Sequence, residues 1–338
     1  LATRATVYTA PRDARALKAS FDRRYSAAIC RFDRHWFLRN KTSRGSRKLA
    51  DKDQHSALFA PLRAIRPDPR IFQILALGAL LVFGLMKRAF SIEGVDIAAI
   101  FATALATQWA MSAIFQVRFE AKSALITALS LTLLLRANTA YPLIAAAFIA
   151  ISSKFILRSN DKHIFNPANI GIVAVTLLSG AAWTTPGQWG TAIWLAAIIA
   201  GAGFFVTYRV SRLDTPLIFL GAFAALIIAR ALWLGDPLSI PMLRLQNGAL
   251  ILFAFFMISD PKTTPDGLIA RAIFAAGAAL LSYIFIYHFY RADGVFYALA
   301  VACLARPLIE RFDPARAYRW SDPPTLKPIR NPAATPAE

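Results

Sequence analysis

Cysteine is nearly missing from the sequence: Cys30 and Cys303 are the two in 338 residues. They can build neither a disulfide framework nor an iron–sulfur centre within the chain. Histidine is almost as scarce, at His35, His55, His163 and His288, and His288 alone falls in an apolar segment. Bis-histidine haem ligation inside one chain is thereby excluded, no metal site is expected, and a redox cofactor held by this chain alone would be organic. Charge is thin as well: 17% of residues are charged, against roughly a quarter in soluble domains. What replaces it is apolar. The hydrophobic share is 57% and the mean hydropathy +0.48, gathered in runs of about 20 residues that suit a bilayer core. A soluble enzyme is ruled out. The chain reads as an all-α, multispanning membrane protein, because backbone polar groups in lipid must be satisfied within the protein.

Acidic residues are few and unevenly set. Residues 1–70 hold 17 of the 38 Lys and Arg against 6 acids. A basic flank beside a membrane domain reads first as a cytoplasmic anchor on anionic headgroups. No nucleic-acid partner is expected, since charge without a recognition module is non-specific. The expected organisation is a basic, disordered cytoplasmic segment over 1–66, a membrane domain over 67–312, and a disordered tail over 313–338 that holds six prolines. The chain begins at Leu1 and its first methionine is Met86, so either the start is unusual or the first segment is an upstream extension. No secretory signal is seen in 1–60.

Ten apolar segments follow, near 71–86, 95–116, 123–135, 140–157, 168–182, 189–208, 214–234, 247–259, 267–290 and 294–311. About seven are long enough to cross. Ser123–Leu135, Ala168–Ala182 and Asn247–Ser259 are too short, reaching about 20 Å at 1.5 Å per residue against a core near 30 Å. Split as five and five, over about 71–182 and 189–311, each half has a short third member. Each short member is followed by a polar stretch ending in proline, at Arg136–Pro142 and at Asp260–Pro265. An odd number of segments per repeat inverts the second half, the architecture of many transporters.

Two polar motifs stand out. In Lys162-His163-Ile164-Phe165-Asn166-Pro167-Ala168-Asn169, the Asn-Pro pair predicts a helix starting at Pro167. Its free N–H groups and the Asn166 and Asn169 amides suit a flavin ring, a quinone carbonyl or an anion; an ordinary capped helix is the plain alternative. In Ser259-Asp260-Pro261-Lys262-Thr263-Thr264-Pro265-Asp266, Thr264 and Pro265 predict a second capped helix start with Asp266 in its first turn. Asp260 stands at the C-terminal end of a short apolar helix, where the dipole disfavours an acid. Asp260 with Thr263 and Thr264 is the candidate ion- or proton-coupling set; the alternative is a loop acid paired with Lys262. Trp183–Gly190 reads as an interfacial aromatic turn.

These motifs, with Ser123–Ser130 and the ten-segment layout, resemble the NqrB/RnfD family, the membrane component common to sodium-pumping NADH:quinone reductase and the Rnf electron-transport complex. The resemblance implies a ten-helix inverted repeat shaped like urea and ammonium channels. It also implies a redox subunit of an ion-translocating complex, coupled to Na⁺ or H⁺. Members of those complexes attach FMN to the Thr of a Ser-Gly-Ala-Thr type motif. Here the nearest string is Ser179-Gly180-Ala181-Ala182, with no hydroxyl at the acceptor position, so covalent FMN is not expected. Non-covalent riboflavin, FMN or quinone at Asn166 and Asn169 is. The chain then looks like a short, stand-alone branch, some of whose relatives accompany natural-product pathways.

A cofactor-free channel or transporter for a small solute stays open beside this reading, as does an accessory membrane partner of a flavinylated extracytoplasmic protein. The expected partners are the bilayer and other subunits of an electron-transport complex. The expected location is the bacterial inner membrane, with both termini inside. Orientation rests on nine Lys and Arg in the connections that would face the cytoplasm against six at the other side. Reporter fusions after Arg158 and after Arg212 are expected to read cytoplasmic and one at Gly187 external. An external signal at Arg158 would invert the scheme.

Overall fold

The computed structural model describes residues 68–87, 90–159, 162–315 and 318. The expectations for 1–66 and for most of 313–338 lie outside them. Eleven helices occur among the described residues. The first group is α1 (Pro69–Lys87), α2 (Gly94–Ile114), α3 (Ala121–Leu134), α4 (Ala140–Ile156) and α5 (Pro167–Leu178). The second is α6 (Ile193–Arg209), α7 (Asp214–Leu234), α8 (Ser239–Leu245), α9 (Gly248–Phe256), α10 (Leu268–Tyr287) and α11 (Gly294–Ile309). Each of the ten apolar segments overlaps a helix, and the seven-residue α8 is an addition.

Four helices, α1, α2, α7 and α10, are long and apolar enough to span a bilayer. A fifth span results if α8 and α9, bent by 48°, are counted as one. This corrects the expectation of about seven. The helices α4, α6 and α11 have 17, 17 and 16 residues, because flanking apolar residues are spent on turns and strands. The short members are shorter still, with 12 residues in α5 and 9 in α9. The chain is a multi-pass membrane protein.

Two short strand pairs close the breaks. Strand β1 (Leu135–Ala137) follows α3 and pairs antiparallel with β4 (Ala182–Thr184), placing Arg136 opposite Trp183. Strands β2 (Arg158–Ser159) and β3 (Lys162–His163) join α4 to α5. Such pairing satisfies backbone that would otherwise be left without partners at membrane depth. In the sequence Arg136 reads as a loop cation. It is instead 2% exposed and donates to the Thr132 and Leu135 carbonyls at 2.7 and 2.6 Å, and to Gln188 Oε1 at 2.8 Å. It thereby caps the negative end of α3.

Packing repeats along the chain. In the first group α3 packs on α1 and α2, α4 on α2, and α5 on α4; in the second α9 packs on α6 and α7, α10 on α7, and α11 on α10. The groups meet through α1 with α6 and α5 with α11. Two glycines permit close approaches between helices. A Cβ on Gly171 of α5 would lie 2.6 Å from the Ala146 carbonyl oxygen of α4, and one on Gly203 of α6 would overlap Phe255 of α9. Without a hydrophobic drive between helices in lipid, such small-residue contacts supply much of the association. Gly171→Val is expected to cost about 1–3 kcal/mol by overpacking, read as a lower melting temperature of the detergent-solubilised protein, with Gly171→Ala intermediate. An unchanged melting temperature in the valine variant would refute the close-packing account.

Candidate functional site

Helix α5 begins at Pro167, as the Asn-Pro pair predicts. Asn166 is the N-cap, its Oδ1 accepting from the Asn169 N–H at 3.1 Å. The same side chain reaches the second group of helices. Its Nδ2 donates to the Met257 carbonyl at 3.3 Å and to Asp260 Oδ2 at 3.4 Å. The two motifs, 94 residues apart, therefore meet at one point. Asp260 accepts from the Lys262 N–H at 3.0 Å and makes no salt bridge among the described residues. Burial raises its pKa above the ordinary carboxylate value, opposed by that N–H bond and by Lys162 and Lys262.

Asn166 and Asp260 stand on the wall of a cavity of about 460 Å³ at one end of the bundle. It lies where α1 begins, the α2–α3 turn passes, and the breaks around α4–α5, α6–α7 and α9–α10 converge. Ser123, Thr127 and Ser130 line it from α3, at the i, i+4, i+7 spacing that puts three hydroxyls on one helix face. Lys154 lines it from α4, and Val206, Phe255 and Phe256 give it an apolar side. Lys154 is 4% exposed, and its Nζ donates to Gln108 Oε1 at 2.6 Å and Ser123 Oγ at 3.1 Å.

The other candidates serve elsewhere. Asn169 is fully buried away from the cavity, and its Nδ2 donates to the Phe296 carbonyl at 3.0 Å, tying α5 to α11. The Thr263 and Thr264 hydroxyls donate to the main-chain carbonyl of Asp260 at 3.2 and 3.0 Å. They fix the turn and do not line the cavity.

Thr264 and Pro265 do not start a helix, which corrects the sequence reading. The N-cap of α10 is Gly267, and Asp313 accepts from the Ile269 and Ala270 N–H groups at 2.8 and 3.1 Å. An acid from beyond α11 satisfies those free donors, so no local cap is needed. Asp266 is the centre of a buried ion group. It binds Lys162 at 2.8 Å and Arg212 at 2.7 Å, and Lys162 also reaches the Thr264 carbonyl and Glu310.

A second, more apolar cavity of about 370 Å³ lies at the opposite ends of these helices, lined in part by Thr184, Thr185, Phe223, Asn247 and Phe296. The two are separated by the buried middle of α9, where Leu252 and Phe253 are fully enclosed. Asn247 caps α9, accepting from the Ala249 and Leu250 N–H groups. No group of three or more His, Cys, Asp or Glu side chains converges among the described residues.

Sequence reasoning missed Lys154, Gln108 and His163. A lysine near the end of an apolar segment reads as an interfacial charge, and nothing local marks its partners. His163 lies outside the helices, its Nδ1 within 3.1 Å of the Lys154 carbonyl. Burial first, then the cationic Lys154 and Arg158, push its pKa down to about 3.

An all-α membrane fold with two cavities and buried ionisable groups has features found in membrane transport and membrane redox proteins. Residues 178–319 match the NQR2, RnfD, RnfE family. Over 142 residues it is 33% identical to RnfD, the D-type component of the ion-translocating oxidoreductase complex, from Escherichia coli O1:K1 / APEC and from Escherichia coli O45:K1 (strain S88 / ExPEC). Each alignment covers 42% of this chain and 38% of the relative, so the chain spans less than half the length of the curated relatives it matches. Asp260 lies inside the matched region and Asn166 before it.

The neutral His163 gives a testable pH dependence. In the unfolded chain the imidazole protonates below its ordinary 6.5, whereas in the fold it stays neutral down to about 3. The unfolded state thus binds more protons between those values, and stability falls as pH falls through them. The melting temperature of the solubilised protein is expected to drop below pH 6.5 more steeply in the wild type than in His163→Gln. Parallel curves would show that His163 is not the cause.

Proposed function

We propose that the chain is the membrane subunit of an Rnf-type ion-translocating electron-transport complex of the bacterial inner membrane. In this reading it holds a non-covalent flavin or quinone in the cavity beside Asn166 and couples its turnover to Na⁺ or H⁺ at Asp260. The observation that carries the reading is the Asn166–Asp260 contact. One polar residue at a helix start and one buried acid, from the two halves of the chain, meet on the wall of a ligand-sized cavity. The family match and the names of the relatives support the complex. The repeated packing of the two helix groups supports the ten-segment inverted repeat related to the urea and ammonium channels.

The residues fit such a group in size and chemistry. A cavity of about 460 Å³ is in the range that small-molecule sites occupy. Phe255, Phe256 and Val206 give it a flat apolar side, and hydroxyls and amides line the other. When bound, a flavin or quinone supplies reversible electron transfer. The chain's own part is to orient it and to set the charge near it. Asn166 can turn its Nδ2 from the long Asp260 bond to a ring carbonyl. Such a turn leaves the Asp260 carboxylate with one hydrogen bond fewer, favouring uptake of a proton or cation there. Covalent FMN is not part of the proposal, because Ala182 offers no hydroxyl and Thr184 and Thr185 lack the surrounding motif.

A cofactor-free solute channel is the weaker reading. A solute needs a continuous path, whereas the two cavities are divided by the closed middle of α9. Electrons cross packed side chains without an opening. Under the redox reading, full-length protein purified in detergent is expected to carry extractable flavin absorbing at about 450 nm, or extractable quinone. Asn166→Leu should lose it while keeping a normal size-exclusion profile. Asp260→Asn should keep it and lose the Na⁺ or pH dependence of its reduction. Protein free of both groups after gentle isolation would overturn the proposal.

A further inference from the structure

We infer that the cavity between α3, α4 and α9 selects a ligand whose aromatic or apolar body ends in an anionic group, a phosphate or a carboxylate, and that the Lys154 ammonium is its counter-charge. This rests on the proposal that the cavity is a ligand site, and it adds the class of ligand.

The argument begins with charge. The wall carries more cations, Arg70, Arg118, Lys154, Arg158 and Lys262, than acids, Glu120 and Asp260, although Arg70 is also paired with Asp68. Glu120 is already engaged by Arg70 at 2.9 Å. Asp260 is held by the Lys262 N–H and the Asn166 amide. Both acids act on Lys154 through space, but neither forms a salt bridge with it among the described residues, and its direct partners are neutral.

Depth makes this unusual. Lys154 is nearly fully buried in α4, where a charge without a counter-charge is costly. Its two partners, Gln108 on α2 and Ser123 on α3, are neutral. Gln108 is itself oriented, its Nε2 donating to Ser112 Oγ at 3.3 Å, so its oxygen faces the ammonium. An ammonium has three N–H donors, and two are used. A structural lysine at this depth would be expected beside a carboxylate. One held by neutral groups at a cavity wall is arranged for an anion that arrives from outside. The hydroxyls of Thr127 and Ser130 continue the polar strip along α3 from Ser123, while Phe255 and Phe256 face an apolar body.

The test uses full-length protein purified in a neutral detergent, with its native ligand removed, and three probes measured by equilibrium dialysis. FMN and riboflavin share one ring system and differ by a terminal phosphate; decyl phosphate has the anion without the ring. FMN is expected to bind at least about tenfold more tightly than riboflavin. That preference should shrink with added salt, vanish in Lys154→Met and persist in Lys154→Arg. Riboflavin binding as tightly as FMN would overturn the inference and leave the flavin reading standing. Decyl phosphate binding that needs Lys154, with both flavins failing, would uphold the inference and remove the flavin reading. Binding of none of the three overturns the inference. If Lys154→Met fails to fold, the salt dependence and Arg118→Gln at the rim decide: an FMN preference untouched by either also overturns it.

Discussion

The structure depends on one constraint. Several of its helices, α3, α5 and α9 above all, are too short to cross a bilayer, and they end where backbone donors or acceptors would be left bare. Four of these ends are answered by particular groups. Arg136 and strand β4 answer the end of α3, Asn166 the start of α5, and Asn247 the start of α9. The end of α9 is folded into a turn whose threonines bond the Asp260 carbonyl. Much of the buried polarity serves this end. Among the polar groups that do not serve helix ends, the Asp260 carboxylate and the Lys154 ammonium are two that also line the cavity.

That division explains how the candidate site is built. Asn166 is a cap first, since its oxygen is committed to α5. Its nitrogen is free to hold the other half of the molecule through Met257 and Asp260. Asn169, one turn on, binds the Phe296 carbonyl and fixes α11. The motif thus reads as a junction of three helices with one side open to a cavity. The ion group around Asp266 is the second junction, joining the α4–α5 connection through Lys162 to the α6–α7 turn through Arg212.

The parts legible in the sequence were those with local causes. Apolar runs located the helices, and Asn-Pro fixed the start of α5 to the residue, because capping is decided within one turn. What escaped was decided by partners far along the chain. Thr264-Pro265 carries a sound capping pattern, yet α10 takes its cap from Asp313. Arg136, Lys154, Lys162 and Arg212 look like loop cations and are buried in pairings with Gln188, Gln108, Asp266 and main-chain carbonyls. Counting them as surface charge therefore weakens an orientation argument built on loop composition, since a buried cation carries no information about the side on which its loop resides.

The pairing of β1 with β4 has a consequence for how the protein is made. The carbonyls at the end of α3 and the strand after it find their partners in Ala182–Thr184 and Gln188, which are synthesised some fifty residues later. Until then α3 has an open end and cannot rest in the hydrocarbon core as a finished element. Arg136, the next residue but one, covers part of that end at once, and the stretch from Ala121 to Gln188 is complete as a unit only when β4 and Gln188 have joined it.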